Sequence, residues 1–355
     1  MRKNVVVIPG DGIGVEVTQA AVPVCQAVAA KSGLELSFAT HLAGGAAIDA
    51  TGVPLPDATV AACQAADAVL LGAVGGPKWD NVAPAIRPEK AILGLRKALG
   101  LYANLRPIRV FAPLLDNSPL KPEVVAGVDM VIVRELNGGI YYGKRSEAEG
   151  SDDRDEAWDT EVYSVAEVKR IMAMACRIAA GRRGHITSVD KANVLASSRL
   201  WRRTAESVAK EHAGITLSHL YVDNCAMQIV LAPKAFDVVV TGNLFGDILS
   251  DEAAVITGSI GMLPSASIGD GPGLYEPIHG SAPDITGQGI ANPLGTILSA
   301  AMMFRYSLDA PAAADSIEQA VDRVLAQGYI TADLYKQGMT KVSTSEMGRL
   351  VLAAL

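Results

Sequence analysis

Asp247 and Asp251 stand four residues apart in Asn243-Leu-Phe-Gly-Asp-Ile-Leu-Ser-Asp-Glu-Ala-Ala254, just after the apolar run Phe236-Asp-Val-Val-Val-Thr241. On a helix, that spacing puts both carboxylates on one face. An uncompensated like-charge pair there costs about 0.2–0.5 kcal/mol. A divalent cation would remove the repulsion. Mg2+ and Mn2+ take oxygen ligands, one or two of them carboxylates and the rest from substrate and water. Taken alone, the pair reads as a solvated helix face, so the segments around it must carry any metal reading.

Those segments alternate short apolar β runs with helical stretches. Strands are predicted at Val5–Ile8, Leu34–Ala39 and Ala68–Gly72, with helices near Val15–Lys31 and Asp57–Ala66 between them. A helix over Pro88–Leu99 leads into Tyr102–Val110, a strand broken by Pro107. Further strands are predicted at Asp129–Arg134, His185–Val189, Thr216–Tyr221 and Phe236–Thr241. Such alternation argues for α/β layers around a partly parallel sheet. The acidic stretch Glu147–Thr160 reads as a surface loop, or as an arm reaching a partner subunit. From Thr257 to Pro293, Gly, Pro and Ser dominate, and this segment is expected to form long functional loops. Three helical stretches finish the chain.

The 355 residues suggest two domains or one large α/β unit. Half are hydrophobic but only 5% aromatic, so Ala, Val, Leu and Ile must build the core, as suits helix-covered parallel strands. A net charge of −7 without any basic block argues against nucleic-acid binding. Cys25, Cys63, Cys176 and Cys225 are far apart with no C-x-x-C pair, which favours buried thiols in a reducing compartment over zinc or disulfides. The N-terminus enters a strand rather than a signal segment, and no apolar run reaches the ~18 residues of a membrane span. A soluble, cytoplasmic protein is expected.

Val5-Val-Val-Ile-Pro-Gly-Asp-Gly-Ile-Gly14 imitates a dinucleotide-binding turn, and Glu35 follows at a suitable distance. The spacing departs from it: Glu16 occupies the place of the third glycine, and Pro9 removes a backbone N–H. A tight β-to-α turn needing unusual φ angles is the better reading.

Six segments occur in the order seen in the β-decarboxylating dehydrogenases. They are Ile8-Pro-Gly-Asp-Gly-Ile-Gly14, Asn104-Leu-Arg-Pro107, Arg134-Glu-Leu-Asn-Gly-Gly-Ile-Tyr141, Asp190-Lys-Ala-Asn-Val194, Asn243–Asp251 and Glu276-Pro-Ile-His-Gly-Ser-Ala-Pro-Asp-Ile285. The chain resembles that family from residue 4 nearly to its end, and most resembles the members that oxidise 3-isopropylmalate. The resemblance implies two α/β domains around a cleft, neither of them Rossmann, in a homodimer. It places the cofactor-binding domain at 1–102 plus 257–355, and the substrate, metal and dimerisation domain at 103–256, with an arm near 141–162. Val15 and Ala196 depart from residues common in the family, at positions that carry neither ligands nor protons.

By resemblance, Asp223, Asp247 and Asp251 hold Mg2+ or Mn2+, with Asp223 supplied by the neighbouring subunit and also facing substrate. Arg96, Arg106 and Arg134 clamp the malate carboxylates, a task suited to a permanently charged, two-pronged donor. Lys191, also from the partner, is the expected base. Its pKa would have to fall by about 3 units from 10.4, which a cation and burial can supply. Tyr141 returns a proton to carbon after the metal-assisted loss of CO2. The implied cofactor residues are Ile13, Glu89, Asn193, Glu276, His279, Gly280, Ser281, Ala282, Asp284, Ile285, Asn292 and Asp333. Asp284 favours NAD over NADP, since a carboxylate repels a 2′-phosphate and no Lys or Arg lies between residues 271 and 300.

Ile92 and Leu93 set the substrate. They lie one turn before Arg96 and offer no donor to a third carboxylate. Burying one against them costs several kcal/mol, whereas an isopropyl group gains about 1.5–3 kcal/mol. Val194 from the other subunit is expected to complete that pocket. The expected reaction is NAD-dependent oxidation and decarboxylation of (2R,3S)-3-isopropylmalate to 2-oxoisocaproate, a step of leucine biosynthesis. The alternatives are a sister activity on D-malate or tartrate and a catalytically silent regulatory subunit. The latter predicts the loss of a metal Asp, Lys191 or Tyr141, and all are present.

Overall fold

A computed structural model describes residues 2–147 and 154–355. The centre of the acidic stretch, 148–153, where the loop-or-arm expectation falls, lies outside the described residues. The chain begins with β1 (Arg2–Gly10), α1 (Gly14–Lys31), β2 (Glu35–Thr40), α2 (Gly45–Thr51), α3 (Asp57–Ala65), β3 (Ala68–Ala73), α4 (Lys90–Ala98) and β4 (Leu101–Arg109). It continues through α5 (Pro122–Val125), β5 (Asp129–Glu135), β6 (Arg145–Ser146), β7 (Trp158–Asp159), α6 (Val165–Ala180), β8 (His185–Asp190), α7 (Ala196–Lys210) and β9 (Thr216–Tyr221). Then follow α8 (Val222–Leu231), β10 (Val238–Thr241), α9 (Asn243–Val255), β11 (Pro264–Gly269) and β12 (Gly273–Pro277). Helices α10 (Leu294–Tyr306), α11 (Pro311–Ala326) and α12 (Thr344–Ala354) end it.

Two compact units emerge: unit 1 holds Met1–Leu101, Val110–Pro119 and Thr257–Leu355, and unit 2 holds Tyr102–Arg109 and Leu120–Ile256. In unit 1 the strands run β2-β1-β3-β12-β11. β1 lies parallel to β2 and β3, β12 parallel to β3, and β11 and β12 form an antiparallel pair. Every residue of β3 is buried, as is α10 from Leu294 to Phe304. Continuous apolar runs are what a strand or helix covered on all sides requires.

The Gly-, Pro- and Ser-rich segment expected to be loop therefore contains a buried hairpin. The hairpin's glycines serve close packing instead: a Cβ on Gly269 would lie 1.9 Å from the Gly100 carbonyl oxygen. Its serines are satisfied, as Ser265 Oγ donates to Glu276 O at 3.0 Å.

In unit 2 the order is β4-β5-β10-β8-β9, with β4 antiparallel to β5 and the rest parallel. β4 runs unbroken through Pro107, which corrects the expected interruption. Pro107 lies opposite Val131, whose N–H turns the other way to Asp237 O at 2.9 Å. That pair exchanges no hydrogen bonds, so the proline costs this ladder nothing. α6 starts at a capping box in which Ser164 Oγ accepts from Glu167 N and the Glu167 carboxylate accepts from Ser164 N. β6 and β7 pair as a short antiparallel ribbon flanking the acidic stretch.

All four cysteines are free and buried, as their isolation in the sequence suggests, and burial pushes the Cys25 thiol up to about 12. No described helix is long and apolar enough to cross a membrane.

Candidate functional site

In unit 2, the strand-to-helix handover places Asp247 and Asp251 on one face of α9, as their spacing predicts, and two arginines meet them. Arg106, from β4, donates through Nη1 to Asp251 Oδ1 at 3.1 Å and to Ser250 Oγ at 2.6 Å. Its Nη2 lies 3.6 Å from Asp247 Oδ1. Arg134, from β5 and only 6% exposed, donates through Nη1 to Asp247 Oδ1. Tyr141 Oη donates to Asp247 Oδ2 at 3.0 Å, and the Arg134 guanidinium lies 5.8 Å from the Tyr141 ring centre. Partial burial and the Asp247 hydrogen bond raise the Tyr141 pKa, which keeps the phenol protonated.

Asp223 sits in the first turn of α8, where its Oδ1 accepts from Lys191 Nζ at 2.7 Å. That bond holds the Asp223 carboxyl below the usual range. Among the described residues, no three His, Cys, Asp or Glu side chains converge as a metal cluster within this one chain. Two of the three expected carboxylates gather at Arg106, and the third pairs with Lys191. Val194 and Asn193 are exposed beside that pair, Val194 to 62%.

In unit 1, α4 carries Ile92, Leu93 and Arg96. Ile92 packs partly into the core with Leu55, so Leu93, 44% exposed, is the apolar surface left free. Arg96 Nη2 donates to Glu276 Oε1 at 3.1 Å, while its buried Nε has no partner among the described residues. An orphaned guanidinium N–H is costly unless an anion or water meets it. Glu89, just before α4, is exposed, and a Cβ on Gly75 would lie 3.1 Å from its Oε1.

The glycine-rich loop folds over the start of α1. Ile13 and Ile285 share an apolar cluster with Val17, Ala282 and Ala291, and Ile13 N–H donates to Ser281 O at 2.9 Å. His279 Nδ1 lies 2.9 Å from Gly280 O, which can only accept, so Nδ1 carries the proton. Burial depresses this imidazole, leaving Nε2 a neutral acceptor with no partner among the described residues. Open space surrounds the Cα of Gly280, and Asp284 is exposed. Asn292 and Asp333 meet at 3.1 Å, with Ser259 and Thr331 also donating to Asp333. An unpartnered acceptor, a bare glycine and an exposed carboxylate suit a nucleotide's hydroxyl and amino groups.

Several contributors escaped the sequence reading. Asn243 Oδ1 accepts from Arg134 Nε and Nη2 at 3.1 and 2.8 Å, and Asn104 Oδ1 accepts from Arg106 Nε at 2.8 Å. Asn243 N–H in turn donates to Tyr163 Oη at 2.7 Å. Asn104 lies two residues from Arg106 on the same strand face, a spacing that could have revealed it. Nothing local marks Tyr163, which lies 80 residues from its partner.

The family model described as isocitrate/isopropylmalate dehydrogenase matches residues 4–351. A 3-isopropylmalate dehydrogenase of Moorella thermoacetica is 58% identical over 349 residues, covering 98% of each chain. One of Halalkalibacterium halodurans is 55% identical, covering 100% of this chain and 98% of its own. Among solved structures, an isocitrate dehydrogenase from Methylococcus capsulatus superposes with a TM-score of 0.86 at 36% identity and 99% coverage of both chains.

Proposed function

We propose, from the premise that this chain belongs to the isocitrate/isopropylmalate dehydrogenase family, that it oxidises and decarboxylates (2R,3S)-3-isopropylmalate to 2-oxoisocaproate with NAD+, in leucine biosynthesis. Family membership implies a nicotinamide cofactor and a divalent metal in general. The relatives' common name supports the substrate at more than half identity over essentially the whole chain. The observation that carries the reading is the knot of Arg106, Arg134, Tyr141, Asp247 and Asp251 in unit 2.

Its charges balance, two guanidinium against two carboxylate. A dianionic hydroxy acid arriving with one M2+ adds no net charge, so the arginines can pass from Asp247 and Asp251 to substrate carboxylates without stranding a charge. Asp223, Asp247 and Asp251 are the proposed metal ligands, and their oxygen chemistry fits Mg2+ or Mn2+. When bound at Asp223, Asp247 and Asp251, the cation would supply Lewis-acid polarisation at the C2 oxygen, and the nicotinamide would supply the hydride acceptor.

The chain's own groups then have defined tasks. Arg96, Arg106 and Arg134 bind the carboxylates. Lys191 takes the C2 hydroxyl proton. Tyr141, kept protonated by its raised pKa, delivers a proton to C3 as the C3–CO2 bond breaks. Leu93, with Ile92 behind it and Val194, borders the isopropyl group, where a third carboxylate would find no donor. His279, Ser281, Asp284, Ile285, Asn292 and Asp333 receive the adenosine portion, with Glu89 near the nicotinamide. Asp284 and the absence of any Lys or Arg from 271 to 300 support NAD over NADP.

Lys191 and Asp223 are assigned to a neighbour's site, in a homodimer. Support comes from the apolar surface of α8 and α9, where Met227, Leu231, Ile248 and Val255 are 55–68% exposed. Surface of that kind is what a subunit contact covers.

With Mn2+ and NAD+, the expected products are one NADH and one CO2 for each 3-isopropylmalate consumed. Turnover should stop on thorough chelation and return when Mn2+ is restored. NADH without CO2, or full turnover under chelation, contradicts the reading.

A further inference from the structure

Asp11 belongs to the motif that imitates a dinucleotide-binding turn, yet it takes no part in the chemistry above. Its carboxylate is 4% exposed and gathers three backbone N–H groups. Gly45 and Gly75 donate to Oδ2 at 2.7 and 2.8 Å, and Ala46 donates to Oδ1 at 2.7 Å. The turn that presents it is fixed from both sides. Asp11 N–H donates to Ala73 O at 2.7 Å, and Gly14 N–H donates to Asp11 O at 2.9 Å. Gly12, at φ +55°, presses so close to the glycine-rich loop that a Cβ would lie 2.1 Å from Ser281 O. That same oxygen accepts from Ile13 N–H. One tight turn therefore touches the adenosine loop through its backbone and the Gly75 loop through its side chain.

Beyond Gly75 lies Glu89, whose Oε1 rests against the glycine's bare Cα. Gly45, held by the same carboxylate, seats the Trp79 ring of that loop: a Cβ there would lie 2.3 Å from Trp79 Cη2. A buried carboxylate is retained at a desolvation cost, and its hydrogen bonds rigidify whatever donates to it. Here the donors are the backbone at Gly45 and Ala46, which seats Trp79, and at Gly75, which borders Glu89.

We propose that Asp11 is a positioning residue, which locks the Gly75 loop to the turn docked on Ser281 and so sets Glu89 against the nicotinamide end of the cofactor. The inference rests on the reading of Glu89 given above. It separates two grips on one cofactor. The turn's hold on the adenosine loop, through Ile13 N–H to Ser281 O, survives loss of the Asp11 side chain. The alignment of the reacting end does not.

The test is a double-mutant cycle on the full chain with NAD+ and Mn2+. Asp11→Ala should lower kcat by about 10- to 100-fold, the penalty of a misplaced reacting group, while the Kd for NAD+ changes by less than about threefold. Asp11→Asn should restore part of kcat, because its amide oxygen can still accept from Gly45 and Gly75 while its amide nitrogen faces the Ala46 N–H. Glu89→Gln should reduce kcat in the parent but add little in the Asp11→Ala background, since coupled sites are non-additive. If Asp11→Ala does not fold, Gly75→Ala disturbs the same loop at φ +106° with Asp11 intact and should give the same kcat loss at unchanged NAD+ affinity. Normal kcat in Asp11→Ala, or losses that simply multiply with those of Glu89→Gln, overturn the inference. Full activity of Glu89→Gln alone overturns the reading of Glu89 beneath it.

Discussion

At the scale of single residues, the site is governed by charges that are expensive to leave unpaired. Asp247 and Asp251 announce themselves by spacing, and the structure adds the partners that spacing cannot show, Arg106 and Arg134 from two other strands. Asn243, Asn104 and Tyr163 stayed hidden. They are neutral groups whose value lies in geometry set by distant chain, and a neutral asparagine in a sequence has no signature of its own. The turn at Asp11 was read from its glycines, and the carboxylate's three backbone donors went unseen because they come from segments 34 to 64 residues away. Lys191 carries the sharpest test at this scale. Lys191→Met should lower kcat by about 10²–10⁴-fold, the range of general acid–base catalysis, with Tm and subunit assembly unchanged. Near-normal turnover would remove Lys191 from the proton path.

Elements were read best where one physical signal dominated. The βα alternation predicted parallel strands, and β1, β3, β5, β8, β9 and β10 lie where apolar runs occur. Pro107 and the β11–β12 hairpin were misjudged for a shared reason. Proline and glycine break structure by default, but a non-hydrogen-bonded pair tolerates one and close strand packing demands the other. α9 follows the same logic at Gly246. A Cβ there would lie 2.7 Å from Arg134 Cγ, so only glycine lets the helix rest on the arginine's stem. Gly246→Ala should push Arg134 off Asp247 and raise KM for the hydroxy acid by about tenfold or more, a loss of one charge-assisted contact. KM for NAD+ should hardly change. Kinetics of this variant with each substrate varied in turn would decide it.

For the whole molecule, length allowed two domains or one large α/β unit, and the chain divides into two compact units. The proposed assembly rests on resemblance, because an apolar face such as that of α8 and α9 looks like core in a sequence. Lys191→Met and Tyr141→Phe homodimers, each nearly inactive, should regain activity after subunit exchange, because one site of each hybrid would then hold both native groups. A mixture that exchanges subunits but gains no activity would confine each site to one chain.

One comparison of kcat/KM decides which reaction the protein catalyses. With Mn2+ present, 3-isopropylmalate, D-malate and isocitrate are each offered with NAD+ and with NADP+. 3-Isopropylmalate with NAD+ should give the highest value. Isocitrate should fall far behind, for want of a donor at Leu93. A higher value for D-malate or isocitrate, or a preference for NADP+, would contradict the account.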